Sequence, residues 1–94
     1  MTDKQSTHIS FEDSLDISNA GDLYDRLRQS IESSRHITLD AGSVERADTA
    51  VLQVLCAFFK EAGQRGIEVN WQNPSESLVR SARLLGVHEL LRLA

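Results

Sequence analysis

The chain has 94 residues, 40% of them hydrophobic and 26% charged, with a formal net charge of −4. That length suits one small domain around one core, and the composition excludes a disordered chain. The acidic balance argues against nucleic acid and anionic lipid as partners, and the single cysteine excludes an internal disulfide and a cysteine-built metal site.

One domain is expected over residues 1–94, with the polar residues 1–6 frayed. "MTDKQSTH" lacks the apolar core of a signal peptide, and no stretch approaches the ~18 apolar residues of a membrane helix. A cytoplasmic protein without direct membrane insertion is the expectation.

"THISF" alternates, with Ile9 and Phe11 on one side, and "SLDIS" alternates with Leu15 and Ile17 together. The pattern predicts two short strands joined at Glu12-Asp13, an antiparallel hairpin. Asn19 reads as a helix N-cap with Asp22 three residues on. Ala20, Leu23, Leu27 and Ile31 then recur at helical spacing to about Ser33, and Asp25, Arg26, Gln29 and Glu32 form the solvated face.

"HITLD" predicts a third strand, with Ile37 and Leu39 on one face. "AGSVERAD" leads into a central helix from Thr49 to about Gly63, and "QRG" ends it with Gly66 free to turn. "IEVNWQ" is the cleanest strand, with Ile67, Val69 and Trp71 facing one way. In "NPSESLVRSARLLG", Asn73 reads as N-cap, Pro74 as the first helical residue and Glu76 as the capping-box acid. Leu78, Ala82 and Leu85 are its expected buried stripe, and Gly86 closes it. "HELLRLA" reads as a short final turn of helix, lightly held.

The order is β-β-α-β-α-β-α-α. Two strand-helix-strand crossovers call for parallel pairing, and the hairpin adds an antiparallel edge. The expected fold is α/β: a mixed four-stranded sheet covered by about four helices, with both crossover helices on one face.

Signatures of catalysis are missing. There is no GxGxxG, no GxxxxGK[ST] and no GxSxG. His8, His36 and His88 do not pair at helical metal-site spacing. Asp40 and Asp48 read as strand-end or cap residues before they read as an acid–base pair. No cofactor, no metal and no enzyme activity are expected.

Thr49 opens an almost unbroken apolar run beside Asp48, a place that suits a cap, a nucleophile or a modification site. On a helical wheel of about 100° per residue, Gln53, Cys56 and Lys60 lie within about 40° of Thr49. Val51, Val54, Phe58 and Ala62 fall opposite, as core. Leu52 and Phe59 lie between the faces. They either flank a shallow docking surface, with a weak homodimer as one use of it, or fold into the core edge. The Thr49 hydroxyl would stand near free backbone N–H groups and the positive helix end, where a phosphate is well tolerated.

The chain resembles the STAS domain, the fold of anti-sigma-factor antagonists and of sulfate-transporter tails. The resemblance spans essentially the whole chain and rests on "SLDISNAGDLYDRL", "HITLDAGSVERADTAVLQVLCAFFKEAGQRGIEVNW" and "NPSESLVRSARLLGVHELLRL". It implies that Asp48 matches the family's motif Asp, that Thr49 matches the residue phosphorylated in the antagonists, and that Asp16 matches a nearby acid. Two departures stand out: Thr replaces Ser, and Ala50-Val51 replaces the step that ends in Gly. Thr at this position is also similar to the STAS subunit of bacterial phospholipid-transport ABC complexes, where it docks. Small chemotaxis-linked STAS proteins are similar around "WQNPSESLVRSARLLG". The resemblance implies a protein partner, met through Asp16, Asp48 and Thr49, and the helical wheel adds Leu52, Gln53, Cys56, Phe59 and Lys60 to that surface. That partner is an anti-sigma kinase-type regulator released by phosphorylation of Thr49, a transporter ATPase held constitutively, or a chemotaxis-linked complex.

Overall fold

The computed structural model describes residues 5–11, 14–15 and 20–93. In chain order the elements are β1 (Gln5–Ser10), β2 (Ser14–Leu15), α1 (Ala20–Ser33), β3 (Ser34–Asp40), β4 (Arg46–Ala47), α2 (Thr49–Gln64), β5 (Glu68–Gln72) and α3 (Glu76–Leu84).

The main sheet has three strands in the order β1-β3-β5, all parallel. Its register sets Ile9 beside Leu39 and Leu39 beside Trp71, with Ile37 beside Val69. The period of two puts these residues on one face, where Ile9, Ile37, Leu39 and Val69 are buried. Helix α1 packs on β3, α2 on β5, and the two helices on each other. The alternate positions His8, Ser10, His36, Glu68, Asn70 and Gln72 are exposed, so the other face is polar.

The expected antiparallel hairpin does not form among the described residues. Strand β1 pairs with β3, and the two-residue β2 pairs in parallel with β4. A tight hairpin needs residues that accept positive φ at the turn, and Glu12-Asp13, which lies outside the described residues, offers no glycine. The crossover through α1 gives β1 a partner over six residue pairs instead. Among the described residues the main sheet is therefore parallel and three-stranded, not mixed and four-stranded.

Helix α1 buries Leu23, Leu27 and Ile31 at the predicted spacing, and Ser30 with them. The Ser30 hydroxyl is buried without loss because it donates to the Leu27 carbonyl at 2.7 Å. The expected cap, Asn19, lies outside the described residues. Gly66 and Gly86 both take positive φ, at 72° and 74°. Each closes its helix by the same pair of bonds: after α2, Gly66 N–H reaches the Gly63 carbonyl and Ile67 N–H the Ala62 carbonyl.

Helix α3 starts later than predicted. Asn73 is left-handed, with φ 52°, and turns the chain out of β5. Ser75 is the N-cap, its hydroxyl accepting from Leu78 N–H at 3.1 Å. Leu78 and Ala82 are buried as expected, but Leu85 has passed the helix end and is 46% exposed. The expected final turn of helix is present, a single turn that adds no fourth helix. Leu91 N–H bonds the Val87 carbonyl, and then Arg92 at φ 58° ends the winding. That turn is firmly held: Leu91 and Leu93 are core residues, and the Trp71 indole N–H donates to the Leu91 carbonyl at 2.7 Å.

Candidate functional site

In a parallel sheet every strand-to-helix connection lies at the carboxyl end of the strands. The connection from β3 to α2 turns first at Asp40, whose Oδ1 accepts from Gly42 N–H at 3.1 Å. This ties down one member of the imagined acid–base pair. The chain then passes through β4 and reaches Asp48, the N-cap residue of α2, with φ −74° and ψ 156°. Its backbone carbonyl accepts the first helical bond, from Leu52 N–H at 3.0 Å. Its side chain makes no cap hydrogen bond. The carboxylate is half-buried and lies next to the positive end of the α2 dipole.

Thr49 is the first helical residue and is exposed. Gln53 and Lys60, one and three turns along, are exposed as well, and Cys56 is half-buried between them. Burial pushes the Cys56 thiol pKa up, so this cysteine is a packing residue before it is a nucleophile. The structure thus brings Thr49, Gln53, Cys56 and Lys60 onto one stripe headed by Asp48. Asp16 lies outside the described residues.

Leu52 and Phe59 do not belong to that stripe. They are 1% and 7% exposed, members of the core. The wheel placed the core centre opposite Thr49, but the buried set is Val51, Leu52, Leu55, Phe58, Phe59 and Ala62. Its centre is Leu55, about 60° round from the predicted line. Leu55 was the missing signal: with it, the apolar spacing i, i+1, i+4, i+7, i+8 marks a broad buried face. Phe59 stacks on Trp71 and meets Phe58 edge-on, at 5.6 Å and 89°. This removes the homodimer built on Leu52 and Phe59, and leaves the outward stripe small and polar.

A cleft of about 130 Å³ opens between α1 and α2, lined by Tyr24, Leu27, Arg28, Phe58 and Glu61 among others, and it includes none of the expected site residues. Among the described residues no three His, Cys, Asp or Glu side chains cluster to hold a metal. His36 instead pairs with Glu68 across the exposed sheet face at 3.3 Å.

The described residues thus form a small parallel α/β sheet with a polar stripe at the start of one helix. The family model described as Mlab, STAS domain matches residues 2–92, and the chain belongs to the STAS family. Domains of this family are in general regulatory or binding modules without catalysis. Among curated proteins no sequence matches this one. No helix of the described residues is long and apolar enough to cross a membrane.

Proposed function

We propose that the chain is a protein-docking domain that meets its partner through Thr49, Gln53, Cys56 and Lys60, with Asp48 beside them and with Asp16 added on the family resemblance alone. Phosphorylation of Thr49 releases the partner, an anti-sigma kinase-type regulator. The observation that carries this reading is the exposed Thr49 hydroxyl at the first turn of a helix whose opposite face is fixed in the core. A phosphate there gains from the helix dipole and leaves the packing untouched. A partner seated on the stripe would have to desolvate that new charge beside the Asp48 carboxylate, which is a strong reason to let go.

A second reading, constitutive docking on a transporter ATPase, is favoured by the residues after Thr49. Ala50-Val51 stands where a glycine step would admit close backbone approach by a kinase, and Val51 is fully buried.

The test is binding of the wild type, Thr49→Ala and Thr49→Glu to the kinase or ATPase encoded beside it. Switching predicts that Thr49→Ala binds as the wild type does, that Thr49→Glu binds at least about tenfold more weakly, and that Mg-ATP with the kinase places phosphate on Thr49. Constitutive docking predicts weaker binding of Thr49→Ala and no phosphate. Equal affinity of all three proteins would remove Thr49 from the function.

A further inference from the structure

The outer face of α3 is a second candidate surface, separate from the Thr49 stripe. Its buried residues, Leu78 and Ala82, point into the core. Its other side forms a shallow groove lined by Glu76, Val79, Arg80, Arg83 and Leu84. These positions follow i, i+3, i+4, i+7 and i+8, a stripe of their own on the solvent side. Leu84 is 80% exposed, the most exposed large hydrophobic among the described residues. Arg83 and Leu84 lie roughly 10 Å down the helix axis from Glu76, away from the strand ends where Thr49 sits.

A leucine this exposed has no role in the core, and the two arginines beside it set the sign of what can cover it. No salt bridge engages Arg80 or Arg83 among the described residues. The groove carries two cations and one anion in a chain whose net charge is −4. Its local charge is thus positive although the chain's is negative. We propose that this groove docks an acidic amphipathic segment of a protein partner, with an apolar side chain against Val79 and Leu84 and carboxylates against Arg80 and Arg83. A lipid surface fits less well, because juxtamembrane binding draws on clusters of four or more cations and Glu76 offsets one of the two here.

The test uses two synthetic amphipathic peptides with the same leucine stripe, one bearing glutamates and the other lysines. Each is titrated into the isotopically labelled protein, with amide shifts as the readout. The glutamate peptide should shift Val79, Arg80, Arg83 and Leu84 saturably and bind at least tenfold more tightly than the lysine peptide. The double variant Arg80→Glu with Arg83→Glu should reverse that preference, and Leu84→Ser should weaken both peptides. All three sites are exposed, so each variant should stay folded, with Arg83→Glu slightly less stable because it places a negative charge at the C-terminal end of α3. Thr49→Glu should leave the glutamate-peptide isotherm unchanged, which separates this surface from the proposed switch. The idea is overturned by an absence of shifts, by equal binding of both peptides, or by shifts mapping elsewhere. Preferential binding to phosphatidylglycerol vesicles, or self-association abolished by Leu84→Ser, would overturn it in favour of a lipid surface or a second copy.

Discussion

Phe59 lies flat against Trp71, their ring centroids 5.8 Å apart and their planes 16° from parallel. The pair fastens α2 to β5 and takes Phe59 out of any docking surface. Phe59→Asp and Leu52→Asp should therefore unfold the domain as Phe58→Asp does, since each places an unpaired charge in the core. Phe59→Ala should cost about 3–5 kcal/mol, read from urea melts. A folded Phe59→Asp variant that had lost only partner binding would contradict the burial.

Trp71→Phe should preserve the stacking and lose the bond from the indole to the Leu91 carbonyl. The loss should be about 0.5–1.5 kcal/mol. It should be localised: hydrogen exchange should speed up at Leu91 and Leu93 while the amides of β3 keep their protection. Uniform acceleration would mean that the C-terminal turn is not a separable latch.

Asp48 and Ser75 head their helices in different ways, and salt should tell them apart. Ser75→Ala removes a cap hydrogen bond and should cost about 0.5–2 kcal/mol at any ionic strength. Asp48 makes no such bond, so Asp48→Ala should remove only its attraction to the helix end, about 0.3–1 kcal/mol, and most of that should vanish in 1 M salt. Paired urea melts at low and high salt measure both. If Asp48→Ala loses binding at the same time, its carboxylate is a recognition group.

Thr49→Glu should fold with a stability within about 1 kcal/mol of the wild type, because the first turn of a helix accepts negative charge. A larger loss in a melt would show that the Thr49 side chain is packed and not exposed.

The raised pKa of the Cys56 thiol fixes the sign of its pH effect. The folded protein holds the proton after the unfolded chain has begun to release it. Stability from this site is thus fully present below the unfolded thiol value of about 8.5 and is lost as pH rises from there through the raised folded value. Alkylation by iodoacetamide at pH 7 should be slower than for a model thiol, and Cys56→Ala should reduce the fall in urea midpoint between pH 8 and pH 10. Fast alkylation at pH 7 would contradict the burial.

Periodicity made much of this legible. The alternation in "HITLD" and "IEVNWQ" and the spacing of Leu23, Leu27 and Ile31 are local signals, and the elements follow them. Strand pairing is not local. Nothing in "THISF" says whether its partner is the next strand or the one after a helix, and so the hairpin was expected where β1 meets β3. Asn73 and Ser75 are both good caps by type, and the choice fell to the left-handed turn at Asn73. The stripe through Thr49 was readable because polar residues recur at helical spacing. The burial of Leu52 and Phe59 was carried by the spacing through Leu55, but the ring from β5 on which Phe59 stacks is a non-local contact that spacing does not reveal.

The parallel sheet also sets an order of events as the chain is made. Ile9 waits for Leu39, and Leu39 for Trp71, so no strand meets its neighbour in the main sheet until a whole helix lies between them. Pairing of such distant segments slows folding relative to a helical bundle, as it does in mixed α/β domains generally. A nascent chain ending at Gln64 would hold β1, β3 and both crossover helices, yet Phe59 would have no Trp71 to stack on and β3 would have one bare edge. The ribosome thus exposes the future core of α2 until the last third of the protein emerges, and that interval is when a chaperone or a mispairing strand can reach it.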